Sequence, residues 1–269
     1  MCGRFTLTAP SYAEVARLLG VGPSDAFSLL YRPRWNVAPT DAHWMMRTGD
    51  AGTREIVPAS WGLTPPPSRP SSSGAKRGPL INARSETARR MPGVRESFAS
   101  RRCIIPVDGF YEWVGDAKAR RPIWFSASAP DLLRFAGVWE SVQGAERFTI
   151  FTTAANDVVA PVHDRMPVII APADVDAWLG ADPDVAAQLL APAPVDLLVP
   201  RAVSPRANSV KNDEPGCLDP WDPTLEVDLR DAVDRPKKAR RRGASKETSL
   251  ALFAAEGPAE VPDARKRVR

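Results

Sequence analysis

Four short stretches of the chain carry residue types that transfer protons or attack electrophiles. They are Cys2-Gly3-Arg4-Phe5, Asn82-Ala83-Arg84-Ser85-Glu86, Gly109-Phe110-Tyr111-Glu112-Trp113 and His163-Asp164-Arg165-Met166-Pro167. Removal of Met1, common ahead of a small second residue, would leave Cys2 with a free α-amine and a thiol on adjacent carbons. Unperturbed, these groups titrate near ~8 and ~8.5, so both are partly nucleophilic at neutral pH. An aldehyde condenses with such an amine to an imine, and the sulfur can then close a five-membered thiazolidine. That closure is intramolecular, and effective molarities of roughly 10⁵ M or more favour it over imine hydrolysis. An acid or base working beside this pair needs a proton available near neutral pH. His163 meets that need unperturbed. Glu112 meets it only if partial burial among Phe110, Tyr111 and Trp113 raises its pKa.

Each stretch also has an ordinary structural use. Cys2 suits the start of a strand as a small apolar residue, and Glu112 can face solvent from an aromatic strand. His163 can be a satisfied structural histidine and Asn82 a helix cap. Arg84 and Arg165 can be surface ion-pair partners of small energetic worth.

Composition narrows the class. The 269 residues, 43% hydrophobic and 25% charged, suit a soluble globular protein with a substantial core. No run of eighteen apolar residues exists, and residues 11–30 are interrupted by Glu14, Arg17 and Asp25, so neither a membrane span nor a secretory signal is expected. The expected location is the cytoplasm, in association with the nucleoid. Cys2, Cys103 and Cys217 have no metal-type spacing, and a reducing compartment keeps them as thiols; no metal or organic cofactor is expected. Residues 234–269 hold eleven Lys/Arg against five acids, a net +6, which leaves the body at −2 within the overall +4. A body of that charge binds a polyanion through a local patch and not through its overall field.

The elements that must position these residues are legible from pattern. Ser11-Tyr12-Ala13-Glu14 has the form of a capping box, Val15, Leu18 and Leu19 follow at helical spacing, and Gly20 is a stop, which predicts a helix over 12–19. Arg34–Pro39 leads into a strand at His43–Arg47, and a second strand is expected at Glu55–Leu63. The Pro/Ser/Gly run 64–79 reads as a mobile surface loop. Asn82–Thr87 reads as the opening of a helix. Short β-branched and aromatic runs predict strands at Cys103–Val107, Phe110–Val114, Ile123–Ala127, Leu133–Trp139, Phe148–Thr152 and Val168–Ile170. Helices are expected from Asp174, carrying Val175 and Trp178, and from Pro183 behind an Asp182 cap. The sum is an α+β domain over 1–233, built on one strongly curved, barrel-like mixed sheet with flanking helices, and a disordered basic tail over 234–269.

Together, and in this order with Trp35-Asn36-Val37-Ala38-Pro39, Trp61-Gly62-Leu63 and the stretch from Arg201 to Asn212, the four motifs resemble the SOS response-associated peptidase (SRAP) family. The resemblance runs from Cys2 to about Cys217. It implies covalent crosslinking to abasic sites in single-stranded DNA, with Cys2 supplying amine and thiol for a thiazolidine at the C1′ aldehyde. By the same resemblance Glu112 moves protons during sugar ring opening and imine formation, His163 is a second acid/base, and Asn82 holds the N-terminal residue. Arg4, Arg84 and Arg165 become phosphate clamps, and Asn36, Pro39 and Trp61 complete the DNA-binding set. Three neutralised phosphates imply a log–log salt slope of roughly −2 for single strands. One departure stands out. Where family members often carry aromatics after the Trp-Gly segment, this chain has Thr64-Pro65-Pro66-Pro67, which implies different or weaker binding of DNA beside the lesion unless Trp61 or Pro39 takes over part of the base stacking. Two other activities stay open, a cysteine-type (auto)peptidase, for which no oxyanion motif is visible, and a non-covalent binder of damaged single strands. A monomer is expected. In the tail, Lys237–Arg242 is a basic cluster, and Thr248, Leu250, Leu252 and Phe253 resemble the short peptide that docks on bacterial sliding clamps, with Thr248 where that peptide has Gln.

Overall fold

Local signals set the first helix where the pattern placed it. In the computed structural model, which describes residues 2–49, 51–65, 78–115, 120–180 and 182–221, Ser11 Oγ accepts from the Glu14 N–H at 3.2 Å, and Gly20 closes the helix at φ 66°. Glu14 does not fold back on the cap. Its carboxylate pairs with Arg17 one turn on. Most of the expected loop (66–77), the basic cluster Lys237–Arg242 and the clamp-like Thr248–Phe253 lie outside the described residues.

The elements follow in the order β1 (Phe5–Leu7), α1 (Tyr12–Leu19), α2 (Asp25–Ser28), β2 (Arg34–Val37), β3 (Ala42–Thr48), β4 (Arg54–Trp61), β5 (Asn82–Arg84), α3 (Arg95–Ser100), β6 (Arg102–Val107), β7 (Gly109–Val114), β8 (Arg121–Ala127), β9 (Leu133–Val142), β10 (Ala145–Ala154), β11 (Arg165–Pro167), α4 (Val175–Gly180), α5 (Pro183–Gln188) and β12 (Leu198–Ala202). Strands β4, β3, β6, β9 and β10 form a closed ring. Four of its junctions are antiparallel, and the parallel β4–β10 pairing closes it. A second sheet runs in the order β12-β8-β7-β1-β2. This is the barrel-like α+β architecture that the pattern implied.

Alternation with period two sorts the side chains. Along β6, Cys103, Ile105 and Val107 join a core with Phe5, Phe110 and Phe125 of the second sheet. Ile104 points the other way, into the core shared with α1, α3, α4 and α5. Along β7, Phe110 enters the first of these cores, while Tyr111 packs on the opposite face with Val203, Ala207 and Cys217. The three cysteines are buried free thiols.

Two local expectations fail. Asn82–Arg84 is not the start of a helix but a strand, pairing in parallel with Ile150–Thr152, and only Ser85–Thr87 turns, as a single 3-10 turn. A tertiary ladder overrides a polar stretch that by itself suits a helix start. Similarly, at the strand expected at Val168–Ile170 only an isolated bridge of Ile169 to Phe135 forms, and the regular strand lies at Arg165–Pro167, where the chain pairs with Thr152–Ala154.

Candidate active site

β1 is too short to hold itself, so its neighbours fix it. Phe5 lies opposite Val37 of β2 on one side and Phe110 of β7 on the other. Asp108, at the turn between β6 and β7, accepts from the Thr6 hydroxyl, the Thr8 N–H and, at 2.6 Å, the Thr8 hydroxyl. Gly109 follows because a Cβ there would stand 2.3 Å from Trp124 Nε1, whose N–H donates to Thr6 Oγ1. The Tyr111 N–H donates to Arg4 O at 3.0 Å. Continuing that antiparallel register brings Gly3 opposite Glu112, and β7 alternation puts Glu112 on the same face as Phe110. From the far side, Asn82 Nδ2 donates to Cys2 O at 2.7 Å. Strands distant in sequence thus converge on the first residues of the chain.

The electrostatics are those of a site with water largely removed. Glu112 is 4% exposed. Burial pushes its carboxyl up to about 7; the N-terminal ammonium and Arg120 oppose the rise and Asp164 adds to it. Burial, then the Glu112 carboxylate, push the Cys2 thiol far above its ordinary value, with the Arg4 carbonyl and the terminal ammonium opposing. The unperturbed titration expected for Cys2 is therefore corrected: near pH 7 this group is a thiol, and its proton must be taken as sulfur reacts. His163 is held below its usual pKa by burial and by the terminal ammonium, with Asp164 opposing. Its Nδ1 accepts the Arg165 N–H at 2.9 Å and also lies 3.0 Å from Asp164 Oδ1. The lowered pKa favours the neutral ring, and the Arg165 N–H donating to Nδ1 puts its proton on Nε2.

The residues assigned to DNA by resemblance divide sharply. Arg84 is exposed and has no ion pair among the described residues. Pro39 is half-buried. Arg4 is half-buried, and its Nη1 donates to Asn36 Oδ1 at 2.7 Å and Ala207 O at 2.9 Å. Arg165 forms a two-pronged pair with Glu86 (2.5 and 3.0 Å) and also donates to Thr152 O, with only 14% of its side chain exposed. Two assignments need correction. Trp61 is fully buried, stacked parallel to Phe148, with its indole N–H on Ile81 O at 2.7 Å. It has no face left for a base. Asn36 is also fully buried, and its Nδ2 holds the carbonyls of Ala207, Ser209 and Asn212. Its work is to fasten the 205–213 segment over β2. Asn36→Ala should lower stability by about 1–3 kcal/mol through the orphaned carbonyls, measured by urea denaturation.

Three contributors escaped the sequence reading. Asp108 carries a turn signal, Asp-Gly before a strand, that could have marked it. Asp213, which accepts the Trp35 and Asn36 N–H groups at 2.7 and 3.0 Å, and Arg120, beside Glu112, carry none.

Comparison with known proteins shows the family. The family model described as SOS response associated peptidase (SRAP) matches residues 1–210. The chain is 35% identical to the abasic site processing protein YoqW of Bacillus subtilis over 230 residues, covering 81% of this chain and 99% of that one. It is 36% identical to YoaM of the same organism, another abasic site processing protein, covering 81% and 98%. A solved protein of Bacteroides thetaiotaomicron, at 21% identity, shares the fold with a TM-score of 0.68 over 82% of this chain and all of that one. With the family match spanning most of the chain and relatives above 30% identity along nearly their whole length, this protein belongs to the SRAP family.

Proposed function

We propose that this chain processes abasic sites in single-stranded DNA by covalent capture at Cys2. The Cys2 amine, freed by loss of Met1, adds to the open-chain C1′ aldehyde and expels one water, giving an imine. The thiol then adds across the C=N bond: sulfur bonds C1′, its proton leaves through Glu112, and nitrogen gains a proton, closing the thiazolidine. Atoms balance without oxidant or cofactor, and among the described residues no cluster of three His, Cys, Asp or Glu could hold a metal. Glu112, half-protonated near pH 7, can give a proton to the departing sugar or carbinolamine oxygen and later take one from sulfur. Asn82 fixes the Cys2 carbonyl and so the direction in which amine and thiol point. His163, neutral with Nε2–H, is a donor for the sugar oxygen.

The observation that carries this reading is a buried Cys2, its carbonyl held by Asn82 Nδ2 at 2.7 Å, whose thiol feels the charge of a buried Glu112 with its carboxyl pushed up to about 7. The test is incubation with uracil-containing single strands, with and without uracil glycosylase. A heat-stable shifted band only with glycosylase supports it. No band, with retained binding, would leave a non-covalent binder.

DNA contact falls first to Arg84, because its guanidinium is exposed and has no carboxylate partner among the described residues. Arg84→Ala should make the log–log salt slope of binding shallower by about 0.7. Arg165→Ala should instead lower thermal stability and move the slope little, since its fork is already filled by Glu86. Equal slope changes in both variants would show that DNA displaces Glu86 from Arg165.

A further inference from the structure

Beside the β7–β8 hairpin, Arg4 meets a second cation, Arg120, that no motif announces. Trp113 follows Glu112 on β7 and faces away from it. Its ring has the Arg4 guanidinium 5.7 Å from its centroid and that of Arg120 at 5.5 Å. The assembly is held from below: Trp113 Nε1 donates to Asn208 Oδ1 at 2.7 Å, and Asn208 Nδ2 donates to Arg120 O at 3.0 Å. Arg120 is exposed, and its side chain has no carboxylate partner among the described residues. Among the described residues Arg4 donates through Nη1, to Asn36 Oδ1 and Ala207 O, which leaves Nε and Nη2 to donate. Two guanidiniums gathered on one indole with no carboxylate in contact repel each other, a penalty that a bound anion would remove.

We propose that Arg120, with Arg4 on the Trp113 ring, forms a phosphate-binding site that grips the DNA strand on the β7–β8 side of the site. The inference rests on the reading of this site as one for abasic single strands, and it names the contact that holds one flank of the lesion. Arginine suits the task because its fork matches phosphate oxygens while its face stacks on an aromatic ring. Arg120 acts on the chemistry as well. Among the groups whose charge acts on Glu112 are the N-terminal ammonium, Arg120 and Asp164, and Glu112 in turn acts on the Cys2 thiol. Arg120 favours the carboxylate form, and a bound phosphate would cancel that influence and leave Glu112 better able to hold its proton once the strand is seated.

The experiment compares wild type with Arg120→Ala and Arg120→Lys. Equilibrium binding is measured on a single strand carrying a tetrahydrofuran abasic analogue, which cannot form an imine, across a salt series. Crosslinking is measured on glycosylase-generated abasic DNA across a pH series. Arg120→Ala should flatten the log–log salt slope by about 0.7 and weaken binding at low salt. The pH limb of the second-order crosslinking rate at subsaturating DNA, which reports Glu112 in the free protein, should shift upward, because a cation acting on the carboxylate is gone. Arg120→Lys should restore the slope, since the charge remains. An unchanged slope and limb in Arg120→Ala would overturn the inference, and Arg120→Gln repeats the comparison should the Ala variant misfold. If wild type binds but never crosslinks, the covalent reading fails while the salt series still decides Arg120.

Discussion

Cys2→Ala should abolish the heat-stable adduct altogether while leaving DNA binding near wild type. The reason is stoichiometric: without sulfur, nothing closes a ring on the imine, and an open imine hydrolyses on heating. The alanine amine still occupies the place of the cysteine amine, and Asn82 Nδ2 bonds the backbone carbonyl of residue 2, not its side chain. The variant should therefore still form an imine that borohydride traps. Gel analysis of both reactions, with and without borohydride, checks the expectation, and intact mass should confirm loss of Met1 in each protein. A full-yield, heat-stable adduct from Cys2→Ala without borohydride would rule out the thiazolidine. A retained Met1 in a crosslinking wild-type protein would rule out the free amine as nucleophile.

The next largest effect belongs to Glu112→Gln, which should slow single-turnover crosslinking by about 10²–10⁴-fold, the usual contribution of a placed acid or base. The amide keeps the shape and part of the hydrogen bonding but cannot exchange a proton. The pH dependence separates this from a packing defect. In wild type the rate should decline as pH rises through about 7, where the carboxyl loses its proton. The variant should lack that limb and follow only the deprotonation of the amine. Stability moves the opposite way. A carboxyl whose folded pKa is raised binds its proton more tightly in the native state, so its contribution is most favourable below the ordinary carboxylate pKa. That contribution is lost as pH climbs to about 7. Glu112→Gln should thus raise the melting temperature at pH 8 relative to wild type, with the gap closing near pH 4. A variant both slower and less stable at pH 8 would mean that Glu112 is a structural residue.

Much of the site was legible because its chemistry is written in residue types. A cysteine behind the initiator, a glutamate inside an aromatic run and a histidine before Asp-Arg-Met-Pro are each unusual locally, and their order along the chain carried the family resemblance. The first and last helices were legible too, since Ser11, Gly20, Asp182 and Pro183 act through hydrogen bonds and torsions within a few residues. Whether a polar residue in such a motif faces DNA or the interior is another matter. Asn36 and Trp61 sit in stretches that read as functional, yet both point inward, one fastening a distant segment and the other filling the core. Arg165 carries the right charge, but Glu86, 79 residues earlier, occupies it.

By itself, then, the sequence determined which atoms could react and where short-range caps begin and end its helices. Only the tertiary structure decided that Asn82–Arg84 is a strand, because β10 supplies its hydrogen-bond partners. The ring likewise closes through a β4–β10 pairing between residues nearly ninety positions apart. The pKa values of Cys2 and Glu112 depend on burial that no local pattern encodes. Arg120 was invisible for the same reason: its importance comes from standing beside Glu112, Arg4 and Trp113, and proximity of charges is a property of the folded chain alone.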